Sequence, residues 1–129
     1  MREAYKNYFP LPNEIFSLNL CPGEIAVYSY LLYCEDRKTY QCYPSYKTIG
    51  QAVGMSTNTV QKYIFELADK GFITIEPTSV ITKSGQKRNG NNRYTICPIQ
   101  EAVNLYHQRQ LYRMEASLAK SQAASQNAM

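Results

Sequence analysis

The chain holds a single histidine, and its four cysteines (Cys21, Cys34, Cys42, Cys97) include no C-x-x-C pair. A structural zinc site needs closely spaced Cys and His ligands, so a bound metal is not expected. The thiols are expected to be reduced and mostly core or half-buried. There is no Gly-rich phosphate loop, and one histidine leaves no nucleophile–histidine arrangement to serve. Asp36, Glu66 and Asp69 do not gather into an acidic cluster by spacing. Catalysis and a cofactor are therefore not expected. No apolar run approaches the roughly 20 residues that a membrane-spanning helix requires. The opening MREAYKNYFPLP lacks the apolar stretch of a signal peptide, which leads to the expectation of a cytoplasmic protein.

What is present suits one domain. The 129 residues are 44% hydrophobic, enough for a core, with room for an appended helix or tail. The net charge of +4 is unevenly spread. Residues 1–36 carry two basic and five acidic side chains, whereas residues 37–93 carry nine basic and three acidic. A polyanionic partner would be met by that second segment.

The front of the chain, AYKNYFPLPNEIFSLNL, reads as an extended arm leading into a short helix capped by Asn13. That helix would carry Ile15, Phe16 and Leu18 into the core. Tyr5, Tyr8 and Phe9 are expected to pack on the domain or on a second protomer. CPGEIAVYSYLLYCED predicts a central helix, with Pro22 at its first position and Glu24 at the positive end of its dipole. A short β segment follows over residues 40–43, ended by Pro44 and Ser45.

Residues 46–72, YKTIGQAVGMSTNTVQKYIFELADKGF, organise the rest. Ile49, Ala52 and Val53 fall on one face of a first helix, which Gly54 can close in the left-handed conformation. Ser56 is an N-cap for a second helix, and Met55 and Val60 have the spacing of a hydrophobic staple. Val60, Ile64, Leu67 and Ala68 form the buried stripe of that helix, and Gly71 stops it. Its other face, with Thr57, Asn58, Thr59, Gln61 and Lys62, is small, polar and rich in donors. Two helices across a tight turn, the second presenting such a face, make a helix-turn-helix whose second helix can enter a major groove.

After Gly71 the apolar period changes from that of a helix to that of a strand: FITIE and NNRYTICPI alternate, bringing Ile73, Ile75, Tyr94 and Ile96 inward. Between them lies a hairpin with a long, loose tip. From residue 77 to 99 it carries Lys83, Lys87, Arg88 and Arg93 and no acid, a pattern suited to phosphate or minor-groove contact. A last helix is expected over residues 99–120. Val103, His107, Leu111, Met114 and Leu118 form a near-heptad seam that could pack on the first helix or on a second copy of the chain. Residues 121–129 read as a disordered tail.

The resulting fold class is mainly α with a small β-hairpin: a winged helix-turn-helix over residues 1–98, then the C-terminal helix. YPSYKTIGQAVGMSTNTVQKYIFELADKGFITIE resembles the winged helix-turn-helix of many bacterial regulators. It is also similar to the N-terminal domains of RepA-type replication initiators, as is the upstream FPLPNEIFSLNLCPGEIAVYSYLLYCEDR. The resemblance covers roughly residues 8–99 and implies duplex DNA binding. On this reading Ser56, Thr57, Asn58, Thr59, Gln61 and Lys62 meet the major groove, and Tyr46 and Lys47 meet phosphates. Lys83, Lys87, Arg88, Asn91 and Arg93 on the wing reach the minor groove or backbone. The expected function is a dimeric, sequence-specific transcriptional regulator. A replication initiator and a protein-interaction module are the alternatives.

Overall fold

The protein's structure is a computed structural model that describes residues 7–127. In chain order its elements are a short 3-10 helix (Asn13–Phe16), α1 (Pro22–Cys34), β1 (Gln41–Cys42), α2 (Tyr46–Val53), α3 (Thr57–Asp69), β2 (Ile73–Glu76), β3 (Ser79–Ile81), β4 (Lys87–Asn89), β5 (Arg93–Ile96) and α4 (Ile99–Asn127).

Local chemistry sets the helix ends. Pro22 opens α1, and Glu24 reaches back so that its Oε1 accepts the Cys21 N–H at 3.1 Å. α2 and α3 open on the same S-x-x-T device. Ser45 Oγ accepts the Thr48 N–H at 3.0 Å, and Ser56 Oγ accepts the Thr59 N–H at 3.2 Å. In each case the serine hydroxyl donates to the threonine Oγ1 at 2.9 Å. Gly54 closes α2 at φ 72°, a conformation that costs glycine nothing sterically.

The core lies where α1, α2 and α3 meet one face of a three-stranded antiparallel sheet, ordered β1-β5-β2. Val60, Ile64 and Leu67 of α3 are buried against Val27, Tyr28 and Leu31 of α1 and Ile49 of α2. Ile73 pairs with Ile96 and Ile75 with Tyr94, which puts these four on the inward face. Tyr28 meets Phe72 edge-on, with ring centroids 5.2 Å apart. α4 docks by its first three turns. Ala102 is buried, Leu105 comes close to Gly71, and Arg109 donates to the Asp69 carbonyl (2.9 Å) and carboxylate at the C-terminus of α3. A cation there also complements the negative end of the α3 dipole.

Several expectations need correcting. Phe16 is 77% exposed, because a 3-10 turn points it opposite to the buried Ile15. Ala52 is exposed, and Gly50 takes the buried place beside Ile49. The supposed loose tip is a second ribbon: β3 pairs with β4, and Thr82 and Gln86 close the turn by backbone bonds. The helix expected to end near residue 120 continues to Asn127, since Ser, Gln and Ala are compatible with helix even with little to bury. Of the seam on α4 only Val103 packs against the core, while His107, Leu111, Met114 and Leu118 are exposed. Phe9 packs against Tyr33, and Tyr8 is exposed. Tyr5 lies outside the described residues, as do the last two residues of the expected tail.

Candidate nucleic-acid interface

Burial of Val60, Ile64 and Leu67 fixes the rotation of α3, and the opposite face is set by the helical repeat. Thr57, Asn58, Gln61 and Lys62 are exposed on it. Thr59 is not free: it is half-buried, and both its N–H and its hydroxyl are engaged by Ser56. Lys62 stands with its Nζ 5.4 Å from the Tyr63 ring centroid, which steadies the ammonium at the edge of the face. Phe65 was left out of both the buried stripe and the outer face in the expectations from sequence. It is 52% exposed and continues the Asn58–Gln61–Lys62 stripe by one turn. The spacing i, i+3, i+4, i+7 from Asn58 was the available signal.

The start of α2 is pinned to the base of the hairpin. Asn92 Nδ2 donates to Tyr46 Oη at 3.1 Å, and Asn91 Nδ2 donates to the Tyr43 carbonyl at 3.1 Å. The Thr78 hydroxyl also donates to the Asn91 carbonyl. Tyr46 and Asn91 therefore act as struts between helix and hairpin, with Lys47 exposed beside them. Arg93 is committed elsewhere. Its guanidinium is ion-paired with Glu76 across the β2–β5 pair, which also holds it charged more firmly than usual, with Tyr43 adding to the effect. Lys87 and Arg88 point to opposite faces of the distal ribbon, since Lys87 pairs with Ile81 and Arg88 with Val80. Ile81 is 79% exposed at the ribbon's end.

The described residues contain three ion pairs: Lys70–Glu24, Arg93–Glu76 and Arg109–Asp69. None uses Lys47, Lys62, Lys83, Lys87 or Arg88. Lys70, Arg93 and Arg109 are matched by carboxylates, whereas the cations on α2, on the outer face of α3 and on the ribbon form no ion pair, as is also true of Arg37, Lys38, Arg113 and Lys120.

A family model described as a helix-turn-helix domain matches residues 18–73, from four residues before α1 to the first residue of β2. The turn between α2 and α3 and the antiparallel hairpin behind them give the rest. The chain carries a winged helix-turn-helix. The matched segment stops where the wing begins, so the wing is seen in the sheet pairing and not in the family match. Nine chains of solved structures match this chain. One is a "possible transcriptional regulator" from Methanosarcina mazei Go1, at TM-score 0.51 and 18% identity, covering 81% of this chain and 82% of that one. No curated relative matches.

Outside the winged helix-turn-helix face, Cys21, Glu24 and Glu66 bring one ligand atom each within 4.8 Å of one another, a grouping the sequence spacing did not reveal. Both Glu24 oxygens are bonded to Lys70 Nζ, at 2.9 and 2.7 Å, so a metal there would have to displace a buried ion pair. No helix among the described residues is long and apolar enough to cross a membrane.

Proposed function

We propose that the chain is a sequence-specific, duplex-DNA-binding regulator of transcription. The observation that carries this reading is the division of its cations. Lys47, Lys62, Lys83, Lys87 and Arg88 form no ion pair and lie on the elements that a winged helix-turn-helix turns toward DNA, whereas Lys70, Arg93 and Arg109 are matched by carboxylates. Of the other described cations, Arg37, Lys38, Arg113 and Lys120 are also without an ion pair but lie off those elements. The printed name of the structural neighbour agrees with it.

On this reading the first turns of α3 enter the major groove. Asn58 and Gln61 can each pair bidentately with adenine, and Thr57 can place its methyl against a thymine methyl. Backbone N–H groups at the start of α3, beside Ser56, favour a phosphate, and Lys47 favours a second one across the groove. Lys83, Lys87 and Arg88 on the ribbon supply backbone or minor-groove contact, with Tyr46, Asn91 and Arg93 holding the ribbon's base. One recognition helix reads only a few base pairs, so a two-fold complex extends the site. The exposed Leu111, Met114 and Leu118 of α4 are the surface we assign to that dimer.

The test is selection from random duplexes, then titration of the winning sequence against salt. An enriched motif with a steep salt slope is expected. Asn58→Ala should lose about 1–3 kcal/mol of discrimination at one position. Arg88→Ala should weaken all sequences alike and reduce the salt slope by about 1. An unchanged preference in Asn58→Ala would mean that α3 docks differently. Tandem repeats in place of a two-fold motif would turn the reading toward replication initiation, and absence of binding at low salt would leave a protein-interaction module.

A further inference from the structure

None of the residues assigned to DNA lines the groove of about 430 Å³ where α1, the turn before β1 and the junction of β5 with α4 meet. Its volume falls in the range of about 300–1,000 Å³ common to small-molecule sites. Tyr28, Leu32, Tyr40, Ile96 and Ile99 give it apolar walls, and Glu35 is its one carboxylate.

Two observations set this groove apart from an ordinary surface depression. Glu35 Oε2 is buried with no hydrogen-bond partner among the described residues. Such an acceptor is costly to leave unmatched, more so when charged. Burial pushes the Glu35 carboxyl up, and Arg37 opposes this. The Tyr28 phenol is pushed up to about 12, by burial first and by Glu35 next, so it stays neutral beside the carboxylate. Tyr40, secondly, has φ 59°, a left-handed backbone that is unusual for a bulky side chain and collects at ligand-binding positions. Its carbonyl accepts the Ile96 N–H at 2.8 Å, which ties the strained residue to the end of β5.

We propose that the groove binds a small organic cation, with a primary ammonium on Glu35 and an aromatic or branched aliphatic body against Tyr28, Leu32, Tyr40, Ile96 and Ile99. The orphaned oxygen asks for a donor, and the lone carboxylate favours a donor that is also positive. An anion would meet Glu35 with like charge. A neutral alcohol would satisfy the hydrogen bond but add no charge to the partial match that Arg37 gives Glu35.

The experiment is a titration of the full chain, without DNA, followed by backbone amide NMR, and its outcome is independent of the DNA-binding reading. The probes are phenethylamine, 2-phenylethanol and 3-phenylpropionate. Saturable shifts at Leu32, Glu35, Tyr40 and Ile96 are expected with the amine, with the other two at least about ten-fold weaker. Glu35→Gln should weaken the amine by about ten-fold or more with its fold intact. Tyr40→Gly suits the left-handed backbone while removing the ring, and it should also weaken the amine. That keeps the test decisive if Glu35→Gln does not fold. Equal binding of the three probes, variants that bind the amine like wild type, or no saturable shift at about 10 mM amine would overturn the proposal.

Discussion

Gly50 is where the geometry of the helix-turn-helix is most exposed to a single methyl group. A Cβ at this position would stand 2.5 Å from the Met55 carbonyl oxygen, whereas real Cβ contacts stay above 3.0 Å. The obstacle is backbone and cannot swing aside, so Gly50→Ala must move the turn by at least roughly half an ångström. Overpacking of this kind costs about 1–3 kcal/mol. The Gly50 carbonyl also accepts the Met55 N–H at 2.9 Å, and loosening that bond costs about 1 kcal/mol more. Alanine's better helix propensity returns about 1 kcal/mol. The net expectation is a loss of about 2 kcal/mol by urea denaturation, which a domain of ordinary stability survives. Met55 is followed directly by Ser56, the N-cap of α3, so the displacement reaches the turn proposed to meet DNA. Affinity for the selected duplex should therefore drop about ten-fold or more in protein that is still folded. Gly54→Ala is the control. Nothing lies within 4 Å of its Cβ, and its φ of 72° costs an alanine about 1–2 kcal/mol, so stability should fall while affinity of the folded protein is kept. If Gly50→Ala is as stable as wild type, or binds DNA as well, the close approach does not constrain the turn.

Two further perturbations address the scaffold and α4. Lys70→Met leaves Glu24, which is 2% exposed, without its ammonium; because Lys70 keeps a third of its side chain in water, the cost should sit near the low end for a broken buried pair, about 3 kcal/mol at pH 7. Burial raises the Glu24 pKa, but Lys70 and the Cys21 N–H outweigh it and the net shift is downward. Its stabilisation is therefore present above the unfolded-state value and is lost as pH falls through the folded one. In Lys70→Met burial acts with less opposition, so the gap from wild type should be widest at neutral pH and close toward about pH 4. Urea melts across that range check it, and a gap that stays constant would contradict the sign. Leu111→Glu with Leu118→Glu should leave the domain folded, since both side chains are exposed in the single chain, and should remove self-association in sedimentation at tens of micromolar. A wild-type chain that already sediments as a monomer there would count against α4 as the dimer surface.

The helix-turn-helix was legible because each of its signals is local. S-x-x-T at 45–48 and 56–59, glycine at 54 and 71, and apolar residues three and four apart leave little choice of element or rotation. What the chain hid was long-range. Glu24 and Lys70 are 46 positions apart, as are Tyr46 and Asn92, and no pattern in the sequence pairs them. Arg93 looked like the other wing cations until the register of β2 with β5 set it opposite Glu76. The ribbon of β3 and β4 was obscured because its residues alternate weakly and bury nothing, so the turn formers around Gly85 read as a loose tip. The groove at Glu35 is assembled from four separate stretches of chain, which spacing cannot bring together.

On the proposed docking the same helix supplies the scaffold and the reading face, which couples stability to specificity. Val60, Ile64 and Leu67 determine which way α3 is turned, and successive residues are about 100° apart around a helix. A repacking that rotated α3 by even a third of that angle would exchange Asn58 for a neighbour at the centre of the face. Two tethers resist such a rotation at the helix's C-terminal end: Lys70 to Glu24 on α1, and Arg109 of α4 to Asp69. Both are ion pairs between another helix and the C-terminal end of the helix proposed to enter the groove. The partly buried Lys70–Glu24 pair thus adds to the packing that sets how Asn58, Gln61 and Lys62 are presented, while the exposed Arg109–Asp69 pair adds less. On the proposed docking, Lys70→Met should broaden the motif selected from random duplexes while the domain is still folded, and an unchanged motif would refute this.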